Sequence, residues 1–280
     1  MSLPLVSIIV PTYNSHVFLE ACLKSLQAQT YTNIEIIIVD RGSNDGTIDI
    51  ARKYADKVFQ HGNERSSQRN YGVAESEGTF IAIIDSDMEL SSGVITECVN
   101  RIGQNNIVAG VIIPEESFGE SFWARCKALE RSFYRGNDDI EAARFFTHKT
   151  YNEVGGYDDM LAAGEDWDLS GRIAAIGSLV RISEPIYHNE GNLRLLKTVM
   201  KKYNYAKYAS RYFEKSNSRK ITSAVGPIQR YKLFLSRPNE LFRSPITGFG
   251  MLFMKTLEYV FGMFGYLAGS FATRHERTHK

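Results

Sequence analysis

The sequence predicts an α/β fold: a mostly parallel sheet flanked by helices, with a helical extension at the C-terminal end. Three observations lead there. Short apolar runs rich in β-branched residues recur at 6–11 (VSIIVP), 34–39 (IEIIIV) and 79–84 (TFIAII). Segments with helical spacing lie between them, and the charge balance changes sign near Gly191-Asn192. Strands alternating with helices imply βαβ units. Strands that are apolar throughout imply a sheet covered on both faces.

The elements follow in order. The first run stops at Pro11, and Ser15 is placed to cap a helix in which Phe18, Leu19, Cys22, Leu23 and Leu26 recur every three or four residues. The second run ends at Asp40. The turn Gly42-Ser43-Asn44-Asp45-Gly46-Thr47 then opens a helix through Tyr54, and a third helix covers 66–77. The run at 79–84 leads into Asp85-Ser86-Asp87. Further on, 107–114 reads as a strand and 118–135 as an aromatic-rich helix. Gly155-Gly156 breaks the chain before a helix that opens at Gly164-Glu165-Asp166-Trp167-Asp168. A short strand at 179–183 precedes His188. No repeat or low-complexity stretch interrupts the pattern.

The chain has 280 residues, 43% hydrophobic and 23% charged, which suffices for one α/β domain of roughly 200 residues plus an appendage. A net charge of +1 conceals an asymmetry. Residues 1–192 carry 16 Lys and Arg against 28 Asp and Glu, whereas 193–280 carry 17 against 4. The expected division is therefore a domain at 1–192 and a basic helical extension at 193–280. Cys22, Cys98 and Cys126 lack metal-type spacing and read as buried thiols. The N-terminus reaches a strand without a secretory pattern, so a reducing cytosolic compartment is expected.

Chemistry gathers where the strands end. In open parallel sheets, ligands bind at the carboxyl ends of the strands, and Asp40 and Asp85 both stand there. Two carboxylates one residue apart suit a hard divalent cation, Mg²⁺ or Mn²⁺, that also bridges a diphosphate. Glu165-Asp166 at a helix start has two readings. Acids favour helix N-termini, and a carboxylate in a cleft also serves as a general base.

Together these segments make the chain resemble the inverting, Rossmann-like GT-A glycosyltransferases of family 2. The matching residues are 6–14 (VSIIVPTYN), Asp40 with 42–47, 69–72 (RNYG), 84–87 (IDSD), 154–158 (VGGYD) and 164–169 (GEDWDL), in the family's order over about 5–190. The resemblance implies roles. Pro11, Thr12, Tyr13 and Asp40 would contact the nucleotide base, and Arg69 the diphosphate or Asp85. Asp85 and Ser86 would face the sugar or ribose. Asp87 would ligate the metal, with His188 as a further ligand or a structural histidine. Asp166 would be the catalytic base, supported by Glu165 and Trp167. Arg65 serves a phosphate or a surface pair. Residues 131–135 with Arg131, and 143–146 with Arg144, form an expected acceptor wall or pack in the core. One departure is Arg41, where relatives carry a second acid: it pairs with Asp40, meets a phosphate or faces solvent.

The extension combines a basic amphipathic helix over 193–215, a polar connector at 217–245 with Pro227, Pro238 and Pro245, and a 26-residue apolar run at 246–271 broken by Lys255 and Glu258. That run spans a bilayer, lies in its interface or mediates oligomerisation. Lys255 and Glu258 are spaced to pair on one helical face, and Gly265 and Gly269 to permit close helix packing. The basic charge favours an anionic membrane over nucleic acid, for which no reading motif is present. The expected activity is transfer from a UDP- or GDP-sugar to a polyprenyl-linked acceptor at the cytoplasmic side of a membrane. The alternative is a non-catalytic nucleotide- or glycan-binding protein on the same fold. A nucleotidyltransferase would want a Gly-rich loop after the first strand, and a phospho-receiver fits the length poorly.

Overall fold

The computed structural model of the chain describes residues 3–103, 107–137, 140–161, 164–213 and 226–278. They fall into two compact units. One comprises 1–116, 141–159 and 164–189, and the other 117–140, 160–163 and 190–280.

The first unit is built on a seven-stranded sheet. Its strands are β1 (Val6–Thr12), β2 (Ile34–Asp40), β3 (Lys57–Gln60), β4 (Phe80–Ile83), β6 (Val108–Ile112), β8 (Ala143–Thr147) and β9 (Ser178–Arg181), in the order β3-β2-β1-β4-β8-β6-β9. The β3-β2-β1-β4 and β6-β9 pairings are parallel, and β8 alone runs antiparallel to both its neighbours. A small second sheet contains β5 (Met88–Leu90) and β10 (Ile186–Asn189), paired antiparallel, and β7 (Glu115–Phe118).

Alternation along the central strands explains the two layers of helices. Ile8, Val10, Ile36, Ile38 and Ala82 face one core, which α1 (His16–Gln27) fills with Leu19, Cys22, Leu23 and Leu26. Ile9, Ile37, Val39, Ile81 and Ile83 face the other, with Val73 of α3 (Arg65–Ala74) and Leu169 and Ile173 of α7 (Glu165–Ala174). Each strand is thus buried on both faces, as parallel sheets require. The helices α2 (Thr47–Tyr54), α4 (Val94–Gly103) and α6 (His148–Glu153) complete this unit. Registers Thr12↔Asp40 and Ile9↔Ile83 bring the carboxyl ends of β1, β2 and β4 to one edge.

Helix α3 lies unusually close to the sheet. A Cβ on Gly72 would stand 2.4 Å from Ile9 Cγ2 and 3.1 Å from Val39 Cγ2. Arg69 sits one turn earlier on this helix. We expect Gly72→Ala to destabilise the protein by about 1–3 kcal/mol through overpacking, read as a lower melting temperature. An unchanged melt would show that the helix has room to shift.

One expectation is corrected, and of two alternatives for 143–146 the packed one is found. Ser15 stands at the N-cap of α1 but makes no capping hydrogen bond; its hydroxyl is bonded to Ser86 Oγ (2.9 Å) and the Tyr13 backbone instead. Residues 143–146 form an interior strand. Phe145 and Phe146 are fully buried on opposite faces of the sheet, so neither ring is open to a sugar.

The second unit is helical: α5 (Phe122–Ser132), α8 (Leu195–Phe213), α9 (Pro227–Leu235), α10 (Pro238–Leu241) and α11 (Pro245–Thr278). Its core joins Cys126, Phe133, Tyr134, Phe234, Leu241, Met251 and Met254. Phe133 and Tyr134 are therefore packing residues rather than open stacking faces. The three prolines of the expected connector open the helices α9, α10 and α11, since proline's fixed φ suits a first helical turn and its missing N–H is not needed there. Residues 214–215 and 217–225 of that reading lie outside the described residues. Gly265 is a close-approach position: a Cβ there would meet the Tyr203 carbonyl of α8 at 2.1 Å. All three cysteines are free and buried.

Candidate active site

The edge where β1, β2 and β4 end carries the candidate residues. The β2 turn comes first. Asp40 is fully buried and accepts from Gly42 N (2.8 Å), Ser43 N (2.7 Å), Ser43 Oγ (2.6 Å) and Thr12 Oγ1 (2.7 Å). Those four bonds use a carboxylate's acceptor capacity. Asp40 thus holds the 40–43 turn to β1. Arg41 resolves the departure noted above. Its guanidinium lies 3.9 Å from the centre of the Tyr13 ring and donates to Asn63 O at 2.9 Å. Tyr13 is about half exposed (49%), a flat aromatic face backed by a cation. Pro11 and Thr12 are buried, and Gln68 Nε2 ties Thr12 O (2.9 Å) to Val39 O (2.6 Å).

At the end of β4, four segments converge on one arginine. Arg69 has no exposed surface. Its Nη2 donates to Asp85 Oδ1 at 2.7 Å and its Nη1 to Asp166 Oδ1 at 2.9 Å, with Glu165 Oε1 at 3.4 Å. The Tyr157 hydroxyl also donates to Asp166 Oδ1 (3.1 Å). Asn70 sets that tyrosine: its Oδ1 accepts from Tyr157 N (2.9 Å) and from the Tyr151 hydroxyl, and its Nδ2 donates to Tyr157 O (2.9 Å). Arg65, exposed on the first turn of α3, pairs with Glu165 at 3.2 Å. Glu165 and Asp166 do not cap α7, which has no side-chain cap; their charges are spent on the α3 arginines.

Arg144 belongs to this cluster rather than to an open wall. Its Nη2 lies 3.4 Å from Asp85 Oδ2 and its Nε donates to Glu115 Oε1 at 2.9 Å. Arg69 Nε and Arg144 Nη1 are buried donors that no described residue satisfies. Burial alone would raise the Asp85 pKa, but Arg69, Arg144 and Arg65 outweigh it and hold the carboxyl far below the usual carboxylate range. Burial and the nearby Asp166 charge push the Tyr157 hydroxyl well above its ordinary value, so it stays a donor.

Two residues further on, Asp87 meets His188. Asp87 Oδ2 lies 3.2 Å from His188 Nε2, and His188 Nδ1 lies 3.8 Å from Glu115 Oε2. The turn is fixed by Asn189 N donating to Asp87 O at 2.9 Å. Ser86 Oγ points back to Ser15. No group of three or more His, Cys, Asp or Glu placed to hold a metal occurs among the described residues. Trp167 is half-buried on the first turn of α7. Arg131 belongs to the helical unit, where its Nε lies 2.9 Å from Glu190.

The sequence did not single out Glu115, Gln68 or Tyr157 as site residues. Glu115 follows the strand β6 as Asp40 and Asp85 follow or end theirs, a signal that could have found it. Gln68 and Tyr157 carry none beyond their nearness to Arg69 and Asp166.

The sequence pattern of glycosyl transferase family 2 matches residues 7–155. EpsJ of Bacillus subtilis, an uncharacterized glycosyltransferase, is 39% identical over 111 residues, 38% of this chain and 32% of its own. The GalNAc(5)-diNAcBac-PP-undecaprenol beta-1,3-glucosyltransferase of Campylobacter jejuni is 29% identical over 154 residues, 51% of this chain and 49% of its own. The chain thus spans half or less of the length of these two relatives. Among solved structures, S. aureus TarS 1–349 with UDP-GlcNAc aligns with TM-score 0.54 and 16% identity, covering 97% of this chain and 92% of that one. The mannosyltransferase PcManGT of Pyrobaculum calidifontis, with GDP-Man and Mn²⁺, aligns with TM-score 0.54 and 15% identity, covering 96% and 86%. The structural likeness bears on the fold, which is of the GT-A type, and the sequence match on descent: this chain belongs to glycosyl transferase family 2.

Proposed function

We propose that the chain is an inverting glycosyltransferase that moves a sugar from a UDP- or GDP-sugar to a lipid-linked acceptor at the cytoplasmic face of a membrane. The observation that carries the reading is the convergence of Arg69, Asp85, Asp166 and Arg144 at the carboxyl end of β4. The Asp166 carboxylate takes the proton of the acceptor hydroxyl. The freed oxygen forms a bond to the anomeric carbon from the face opposite the diphosphate. The bond from that carbon to the diphosphate oxygen breaks, and its electrons leave with the nucleoside diphosphate. Tyr157 and Arg69 orient Asp166 by bonding one of its oxygens. The positive charge of Arg69 and Arg144 at this strand end complements an anionic diphosphate. Tyr13, backed by Arg41, supplies a stacking face for the base.

Asp87 and His188 fit a divalent cation bound by one carboxylate and one imidazole, with diphosphate and water completing its shell. Such an ion, Mg²⁺ or Mn²⁺, would neutralise charge on the leaving diphosphate. Support for the donor class comes from neighbours solved with UDP-GlcNAc, UDP and GDP-Man. Support for the acceptor class comes from the Campylobacter relative, whose substrate is carried on undecaprenol diphosphate.

A panel of nucleotide sugars with Mg²⁺ or Mn²⁺ tests this reading. One donor is expected to raise the melting temperature only with the cation present, a stabilisation of about 2.7 kcal/mol at a hundredfold excess over Kd, and to be slowly hydrolysed to the nucleoside diphosphate. A shift without hydrolysis or transfer would mark a non-catalytic binder, and no shift with any donor would overturn the proposal.

A further inference from the structure

Helix α11 carries its polarity inside out. Lys255 and Glu258, its charged residues between Pro245 and Phe271, are buried at 5% and 3% exposure. Eight of its large apolar side chains are exposed, Met263 (55%) and Tyr266 (43%) on one flank and six on its outer side: Ile246 (76%), Phe249 (64%), Phe253 (54%), Phe264 (53%), Leu267 (43%) and Phe271 (69%). At 100° per residue those six fall within an arc of about 60°, a stripe running roughly 38 Å along the helix. Thr256 and the half-buried Val260 continue it between Phe253 and Phe264.

The rotation of the helix is set by a closed ring of ion pairs. Lys255 Nζ lies 2.6 Å from Glu130 and 3.0 Å from Glu258, and Lys127 Nζ lies 2.7 Å from Glu130 and 3.1 Å from Glu258. Burial disfavours the charge on Glu130, yet the two lysines hold its carboxyl well below the usual range. Turning α11 over would return Lys255 and Glu258 to solvent and bury the phenylalanines, the ordinary arrangement of a surface helix. The observed rotation uses a desolvated ring of charge to present an uninterrupted apolar stripe. Exposed patches of this length mark interaction surfaces.

The charge of the same unit identifies the occupant. Arg194, Lys197, Lys201, Lys232, Arg237 and Arg243 are exposed, and over 193–271 Glu240 is the one exposed acid among the described residues. On α8, exposed Leu196 (76%) and Met200 (45%) alternate with Lys197 and Lys201, an apolar-and-basic face suited to the headgroup boundary. A second copy of the chain would bring like charges together, whereas anionic lipid complements them. Among the described residues no helix is long and apolar enough to cross a membrane.

We infer that the outer stripe of α11, with the basic outer face of α8, is a docking surface that lies in the interface of an anionic bilayer. The surface lies within the helical unit, and the inference deepens the membrane part of the proposed function. Sedimentation of the full chain with vesicles tests it, comparing pure phosphatidylcholine with vesicles containing about one-third phosphatidylglycerol. The chain is expected to pellet with the anionic vesicles and to be released by salt. The triple variant Phe249→Ser, Phe253→Ser, Phe264→Ser changes exposed side chains only, so it should fold, as its melting curve will show. Its partition constant is expected to fall about a hundredfold, with donor hydrolysis in solution unchanged. Lys197→Glu with Lys201→Glu should remove the preference for anionic vesicles. Failure of the unaltered chain to pellet with either vesicle would overturn the inference. So would a dimer in light scattering that the triple variant abolishes, which would make the stripe a contact between copies.

Discussion

Asp166→Asn is expected to lower sugar transfer by roughly 10²–10⁴-fold while leaving nucleotide binding and the melting temperature close to those of the unaltered chain. The size follows from the chemistry: an amide cannot accept the acceptor's proton. The selectivity follows from the geometry. Arg69 and Tyr157 both donate to one oxygen of Asp166, at 2.9 Å and 3.1 Å. An asparagine Oδ1 in that place accepts both bonds, so the side chain keeps its orientation and the α3–α7 contact survives. The measurement is kcat for the donor that the panel identifies, alongside its Kd by calorimetry. A loss confined to kcat assigns Asp166 to the chemical step. A variant that turns over near the normal rate would remove Asp166 as the base. Glu165→Gln is the comparison, since Glu165 pairs with Arg65 and Arg69 and has the weaker claim on the acceptor.

The sequence disclosed those parts of this arrangement that depend on one strand or one helix. The runs at 34–39 and 79–84 place Asp40 and Asp85 at strand ends because an apolar β-branched run has few other readings. The parallel registers then align those ends. What it left hidden depends on pairing between distant segments. Residues 143–147 have the same buried composition as a parallel strand, and nothing local marks β8 as antiparallel. Yet the pairing of Phe145 with Ala82 is what carries Arg144 to Asp85 rather than to an acceptor. The local role of Asp40 was hidden for a related reason: only the folded 40–43 turn shows that its oxygens bond Gly42, Ser43 and Thr12. In the extension, Lys255 and Glu258 were legible as a pair. Their partners Lys127 and Glu130, more than a hundred residues earlier, were not.

Arg69→Met should be the most destabilising change at this site, by about 3–5 kcal/mol, because it strips a buried cluster of carboxylates of their shared cation. Asp85, Glu165 and Asp166 all lie within 3.4 Å of the Arg69 guanidinium. Arg144 and Arg65 remain, but Arg144 lies 3.4 Å from Asp85 and Arg65, half exposed, pairs with Glu165 from the first turn of α3. A fall in melting temperature of roughly 10 °C at neutral pH is the expected reading. Arg69→Lys should recover part of it, since an ammonium keeps the charge but cannot fork between carboxylates. The pH dependence separates this cause from simple loss of packing. In the unaltered chain the Asp85 pKa is held below its unfolded value. Its stabilisation is therefore present above the unfolded value and lost as the pH falls through the folded one. Without Arg69 the largest opposing charge is gone while Arg144 and Arg65 remain, so the folded pKa rises toward the unfolded value. The variant should therefore lose less stability than the unaltered chain as the pH falls from 7 toward about 3. A packing defect leaves that slope unchanged. A variant that melts within about 1 °C of the unaltered chain at neutral pH, or that shows no change in pH slope, would mean that Arg69 is not what holds these carboxylates together.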